Sequence, residues 1–293
     1  MTILVDFNAV VIASVARATS ELPIDILDLN ACKNYFFNDI IRIKKKFPDH
    51  GEIVICCDSK NYWRKDFYPF YKIGRKELRA DSPLDWNLVS DTINGLHDDI
   101  KEYFPYKVIK VDKCEADDVI AVLSKFLAGY HNGLCSKSEP IMIISSDGDF
   151  KQLQVIPTLR QYSLAMEKEI IENDPETFLY EKILKGDLGD GVVNVLSEDD
   201  ALALKIRQKP ITAVRIAKWK QYHVNTGCLH EDLDVRKYNR NKQLMDLLNE
   251  IPMQYENEIV EMFLNSNPVS KLKTGTYFIK NRMKNLHSEL SYF

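Results

Sequence analysis

Short apolar runs and longer segments of helical spacing take turns over the first 175 residues. Ile3–Val5, Ile53–Cys57, Lys107–Val111 and Ile141–Ile144 read as buried strands, with a further one over Arg160–Ser163. Between them, Asp28–Phe47 places Leu29, Tyr35, Phe36, Ile40, Ile43 and Phe47 at helical intervals, and Trp86–Tyr103 and Ala116–Leu127 also read as helices. Strands alternating with helices imply a mainly parallel sheet covered on both faces. After about residue 175 the pattern is almost wholly helical. The expected organisation is one α/β domain over residues 1–180 and a smaller helical domain over residues 181–293. The segment Arg64–Ser82 fits neither pattern: its periodicity is weak, its charge is high, and Gly74 interrupts it. It reads as an excursion from the sheet, spanning about residues 60–85.

Composition adds little until charge is located. Hydrophobic residues at 45% support a substantial core, and charged residues at 28% suit a soluble surface. No apolar run reaches the roughly 18 residues needed to cross a membrane. The apolar N-terminus lacks a basic leader and is broken by Asp6, so a signal peptide is not expected. Cys32, Cys56, Cys57, Cys114, Cys135 and Cys228 show no CxxC spacing, which suits reduced thiols in a cytoplasmic protein and no zinc site. The net charge of −4 hides an uneven distribution. Lys60, Arg64, Lys65, Lys72, Arg75, Lys76 and Arg79 face only Asp66 and Glu77 within the excursion, and Lys205–Lys220 is also basic. A basic surface for nucleic acid and a concentrated acidic site can coexist at near-neutral total charge.

The acids gather where the strands end. Asp6 follows the first strand, Asp58 the second, Glu115, Asp117 and Asp118 (CEADD) the third, and Asp147 and Asp149 (SSDGDF) the fourth. Asp187 and Asp190 (GDLGD) lie in a later turn. Taken singly, each is ordinary: an N-cap, a favourable charge at a helix start, or a solvated turn. In a parallel sheet, however, successive strand ends share the edge where open α/β folds place ligands. Nine carboxylates there require compensation, and oxygen donors without His or Cys favour Mg²⁺, or Mn²⁺ in its place. Two such ions about 4 Å apart suit phosphodiester hydrolysis. No GxxxxGK[ST] loop supports nucleotide hydrolysis.

ILVDF, CCDSKNYWRKDFYPFYKIGR, VDKCEADDVIAVL, IISSDGDFKQL and ILKGDLGD resemble, in order and spacing, the 5′-nuclease (flap endonuclease) family, most nearly its T-even-type bacteriophage branch. The resemblance covers about residues 1–190. It implies a PIN-like sheet with a helical arch and a smaller helical C-terminal DNA-binding domain. It also implies a 5′→3′ exonuclease and flap endonuclease that removes RNA primers in lagging-strand replication, using two Mg²⁺ ions. Asp6, Asp58, Glu115, Asp117, Asp118, Asp147, Asp149, Asp187 and Asp190 then become metal-site acids, with Asp117 as a direct ligand. Tyr71, Lys72 and Arg75 match the family's YK..R element. Lys72 and Arg75, three apart and so on one face of a helix, would hold the scissile phosphate, and Tyr71 would stack on a terminal base, with Lys76 nearby on the arch. Tyr62 and Trp63 read as core. The Gly-rich hairpin of many members is missing here; Lys209, Thr212 and Arg215 would meet phosphates instead. The substrates expected are DNA and RNA–DNA hybrids with 5′ ends or flaps, cut by a monomer. Single-stranded-DNA-binding protein and a sliding clamp are the partners such an enzyme would meet. The C-terminal NRMKNLHSELSYF reads as a docked terminal helix. Three alternatives stand beside this reading: a PIN-type endoribonuclease, a Toprim-type enzyme and a non-cleaving binder of forked DNA. The arch, Asp6 with Asp58, and the full acid set argue against each in turn.

Overall fold

The computed structural model describes residues 1–23 and 26–293. Six strands form one sheet: β1 (Thr2–Asp6), β2 (Ile53–Cys56), β3 (Lys107–Ile109), β4 (Ile141–Ile144), β5 (Leu159–Ser163) and β6 (Lys168–Ile170), in the order β3-β2-β1-β4-β5-β6. The first five run parallel, and β6 joins the edge antiparallel to β5. Every residue of β1, β2 and β4 is buried, which is why these strands read as continuous apolar runs and not as alternating ones. The strand order reverses between β1 and β4, which marks the switch point where such sheets open a crevice.

Alternation across the pleat supplies two cores. Ile3, Val5, Ile53, Ile55, Met142 and Ile144 face the helices α1 (Phe7–Glu21), α2 (Leu29–Lys46) and, beyond the short α3 (Trp63–Phe67) and α4 (Arg75–Ala80), α5 (Trp86–Tyr103). Leu4, Val54, Cys56, Ile141 and Ile143 face α6 (Ala116–Ala128). Cys56 and Cys57 enter opposite cores, as a period of two demands. The helix starts are capped by Asp28 and Asp85, whose carboxylates accept from the first-turn amides of α2 and α5, and three lysines close α2 against its C-terminal dipole.

The later helices divide their allegiance. Only α7 (Pro175–Lys185), α8 (Ala213–Thr226) and α9 (Val235–Met245) build a separate core, in which Trp219 meets Ile183, Leu184 and Tyr238. From α10 (Met253–Asn265), Tyr255, Ile259 and Phe263 enter the second sheet core. From α11 (Leu272–Lys280), Tyr277 and Phe278 join the first core, as do Leu286 of α12 (Lys284–Ser288) and the terminal Phe293. The tail is therefore docked, as expected. The expected strand over Lys107–Val111 stops at Ile109, and α1 and β6 are elements the hydrophobic pattern did not announce. Among the described residues no helix is long and apolar enough to cross a membrane.

Candidate metal and nucleic-acid site

The parallel strands deliver their acids to one edge. Asp6 ends β1 and at once caps α1, accepting from the Ala9 amide, while its second oxygen accepts from the Ser145 hydroxyl at 2.8 Å. Asp58, two residues past β2, accepts from the Ala116 amide at 2.8 Å and so ties that strand end to α6. Glu115 caps α6, and Asp117 and Asp118 sit in its first turn. Asp147 starts the 3₁₀ segment Gly148–Val155 that carries Asp149. Asp187 and Asp190 arrive on a tight turn closed by paired amide–carbonyl bonds between Asp187 and Val192, 2.8 and 2.7 Å. Gly191 in this turn has φ +71°, and a Cβ there would stand 2.6 Å from the Phe70 carbonyl oxygen. Glycine lets the turn press beneath Phe70–Lys72, where the Lys72 amide donates to the Asp190 carbonyl at 2.7 Å.

Counter-charge sorts the nine acids into groups. Arg64, nearly fully buried, donates to Glu115 at 2.9 Å and to both oxygens of Asp118 at 2.7 and 2.9 Å. Lys72 pairs with Glu115 and lies 3.6 Å from Asp190, and Arg75 reaches Asp190 at 3.2 Å. Lys182 bridges Asp149 and Asp187 at 2.6 and 2.5 Å. Asp6, Asp58, Asp117 and Asp147 have no ion pair among the described residues.

The acid equilibria follow this division. Burial, then Asp58, pushes Asp6 up to about 7. Burial, then Asp147 and Asp6, holds Asp117 well above the usual carboxylate range, and burial with Glu115 raises Asp58. Asp149 is half-buried and faces Asp147, and desolvation holds it up at about 6 despite Lys182; Asp187 is also half-buried, yet the same ammonium holds it below its ordinary value. Burial is the first cause for Asp6, Asp58 and Asp117, and like-charge neighbours add to it: Asp58 and Asp147 for Asp6, Glu115 for Asp58, Asp147 and Asp6 for Asp117. An oxygen-only donor set under such strain fits a hard divalent cation. Among the described residues no group of three or more His, Cys, Asp or Glu side chains is already arranged to hold a metal ion, so the acids would have to draw together around one.

Several expectations change. Asp118 is not a free metal ligand: Arg64, the Trp63 indole at 3.2 Å and the Glu115 amide at 2.9 Å occupy its oxygens, and it is fully buried. Glu115 is also taken, by Arg64, Lys72 and the Tyr71 hydroxyl at 2.8 Å. Tyr71 does not offer a ring for base stacking; it is buried, and its hydroxyl lies within hydrogen-bond reach of Glu115 at 2.8 Å and Asp190 at 3.0 Å, with one proton to donate between them. Lys72 and Arg75 do not share a helical face, since Lys72 lies at φ +58° ahead of α4; Asp190 brings them together instead. Trp63 is core, whereas Tyr62 is half-buried, edge-on to Tyr71 and beneath the Lys72 ammonium. Lys76 is exposed on α4. Lys209, Thr212 and Arg215 are exposed around the start of α8, where the Thr212 hydroxyl caps the Arg215 amide. Arg64, Lys182 and Ser145 were missed as site residues. The one available signal was for Lys182, a cation one helical turn ahead of the GDLGD acids.

Comparison with known proteins gives the same picture. The sequence model of the 5′–3′ exonuclease N-terminal, resolvase-like domain matches residues 11–182, and that of the phage T4 RNase H C-terminal domain matches residues 173–293. Ribonuclease H of Enterobacteria phage T4 is 29% identical over 99% of this chain and 95% of its own. The flap endonuclease of bacteriophage T5, in a pseudo-enzyme–product complex with DNA and metal ions, superposes with a TM-score of 0.59 at 16% identity, covering 89% of this chain and 98% of that one. The T5 5′-exonuclease with bound divalent zinc ions gives 0.56 at 17% identity over the same shares.

Proposed function

Because the chain belongs to the 5′–3′ exonuclease family, we propose that it is a 5′→3′ exonuclease and flap endonuclease of DNA replication, removing RNA primers with two Mg²⁺ ions. The observation that carries this reading is the set Asp6, Asp58, Asp117 and Asp147: four acids at the switch point of the sheet that form no ion pair among the described residues, with Asp6 and Asp117 raised in part by their acidic neighbours. These four would hold one ion, and Asp149 and Asp187 the other. Bound there, the ions would supply Lewis-acid activation of water and stabilisation of the leaving oxygen.

The chain's own groups do the rest. Glu115 and Asp190 orient Lys72 and Arg75 so that their charges meet the scissile phosphate. Arg64 fixes Glu115 from behind and ties the start of the arch to the Leu244 carbonyl at the end of α9. The exposed Lys76, Lys209, Thr212 and Arg215 contact the substrate backbone, the last three at the N-terminus of α8 where amides and positive charge favour phosphate. The substrate classes are DNA and RNA–DNA hybrids with 5′ ends or flaps. The test uses an RNA–DNA hybrid, a nicked duplex and a flap, each labelled at either the 5′ or the 3′ end and incubated with Mg²⁺. Short products should come from the 5′ label, from hybrid and flap alike. Internal cuts placed without regard to the 5′ end would reject the assignment.

A further inference from the structure

Lys182 stands in the last turn of α7, with its backbone held in place by the buried neighbours Ile183 and Leu184. Its ammonium lies 2.6 Å from Asp149 and 2.5 Å from Asp187, and its side chain is only 12% exposed. Asp149 comes from the 3₁₀ segment that follows β4 and Asp187 from the turn after α7, so the ammonium joins two elements whose charges would otherwise drive them apart. The other oxygen of Asp187 accepts from the Asp190 amide at 3.1 Å, which leaves the carboxylate little freedom to turn elsewhere. Among the described residues no cation forms an ion pair with Asp6, Asp58, Asp117 or Asp147, although Lys72 acts on Asp58 and Asp117 from further away. The two acid groups therefore begin from unequal states, one without an ion pair and one half-neutralised by the chain's own ammonium.

We propose that Lys182 is a resident counter-cation of the Asp149–Asp187 pair and weakens that pair's hold on a divalent ion, so that the site fills in order, the four unpaired acids first. This rests on the reading of the acids as a divalent-metal centre. A dication between Asp149 and Asp187 has to move the ammonium aside, since the single positive charge and the ion compete for the same oxygens. Without divalent ions, Lys182 keeps the pair assembled, which a neutral residue of the same length cannot do.

The test is Mn²⁺ binding to the full chain without DNA, followed by the paramagnetic resonance signal of free Mn²⁺. The chain with Lys182 should bind one ion tightly and a second weakly. Lys182→Met should tighten the second binding about tenfold, the low end of what an opposite charge within contact distance does to a neighbouring equilibrium, and leave the first unchanged. Lys182→Arg should keep it weak. Lys182→Gln serves as a second neutral variant, and thermal melts establish that each variant is folded. Metal-free Lys182→Met should melt below the parent chain and recover with Mn²⁺. A second-site affinity that is unchanged or weaker in both neutral variants overturns the proposal while the metal-centre reading survives. Absence of any Mn²⁺ binding to the parent chain would defeat the metal-centre reading and the proposal together.

Discussion

Asp117→Asn should slow single-turnover flap cleavage at saturating Mg²⁺ by roughly 10³-fold, the upper end of what loss of one preorganised charge costs, while flap binding stays near that of the parent chain. The substitution keeps shape and removes an ionisable carboxyl from the group that has no ion pair among the described residues. Its second consequence concerns stability. In the metal-free fold, Asp6 titrates at about 7 and Asp117 lies well above its ordinary value, both through burial and like-charge neighbours. Raised carboxyl equilibria contribute stability that is fully present below about pH 4 and is lost as pH rises through the folded-state value. For Asp6 alone, a rise from 3.8 to about 7 corresponds to a penalty on the order of 4 kcal/mol in alkaline solution. The metal-free parent chain should thus melt lower at pH 8 than at pH 5, Asp117→Asn should lose less over that range, and Mg²⁺ should restore the parent at pH 8. Parent-like turnover in Asp117→Asn would remove Asp117 from the site.

The arch lysine and arginine should show a different signature. Lys72→Ala and Arg75→Ala are expected to lose roughly 10²–10³-fold in single-turnover rate with all flap bound, and low salt should not restore it. Lys72 is buried against Glu115 and Asp190, so its charge is spent locally and contributes little to long-range attraction. Lys60 and Lys65 are exposed, and their alanine variants should weaken binding in a way that low salt rescues, as counterion release predicts. A salt series on the four variants separates the two behaviours. Equal losses, all rescued at low salt, would reduce the arch to an electrostatic funnel.

The acids and their strands were legible because both follow short-range rules. Buried parallel strands declare themselves as apolar runs, and a carboxylate directly after such a run falls on the ligand edge whatever the loops do. The pairing of charges was not legible, because it depends on contacts between segments far apart in the chain. Arg64 looked like one more basic residue of the arch, yet it is the buried partner of Asp118 and Glu115, some fifty positions away. Asp118 shares its CEADD run with Asp117, but helical geometry turns the two in different directions, one toward Arg64 and the other toward Asp6 and Asp147. Lys72 adopts a left-handed backbone that nothing in its side chain announces, at the point where the Gly191 turn presses against Phe70–Lys72 and the Lys72 amide bonds the Asp190 carbonyl. α1 was hidden because Asp6 ends a strand and caps a helix with no loop between, so the apolar positions of both merge into one stretch.

The central claim is that the unpaired acids at the sheet edge work through bound divalent ions. Its most direct measurement is single-turnover cleavage of a 5′-labelled flap by the full chain, first stripped with excess chelator and then titrated with Mg²⁺ or Mn²⁺. Cleavage should be absent in chelator and return with either ion, releasing product from the 5′ end. Robust cleavage in excess chelator would contradict the account.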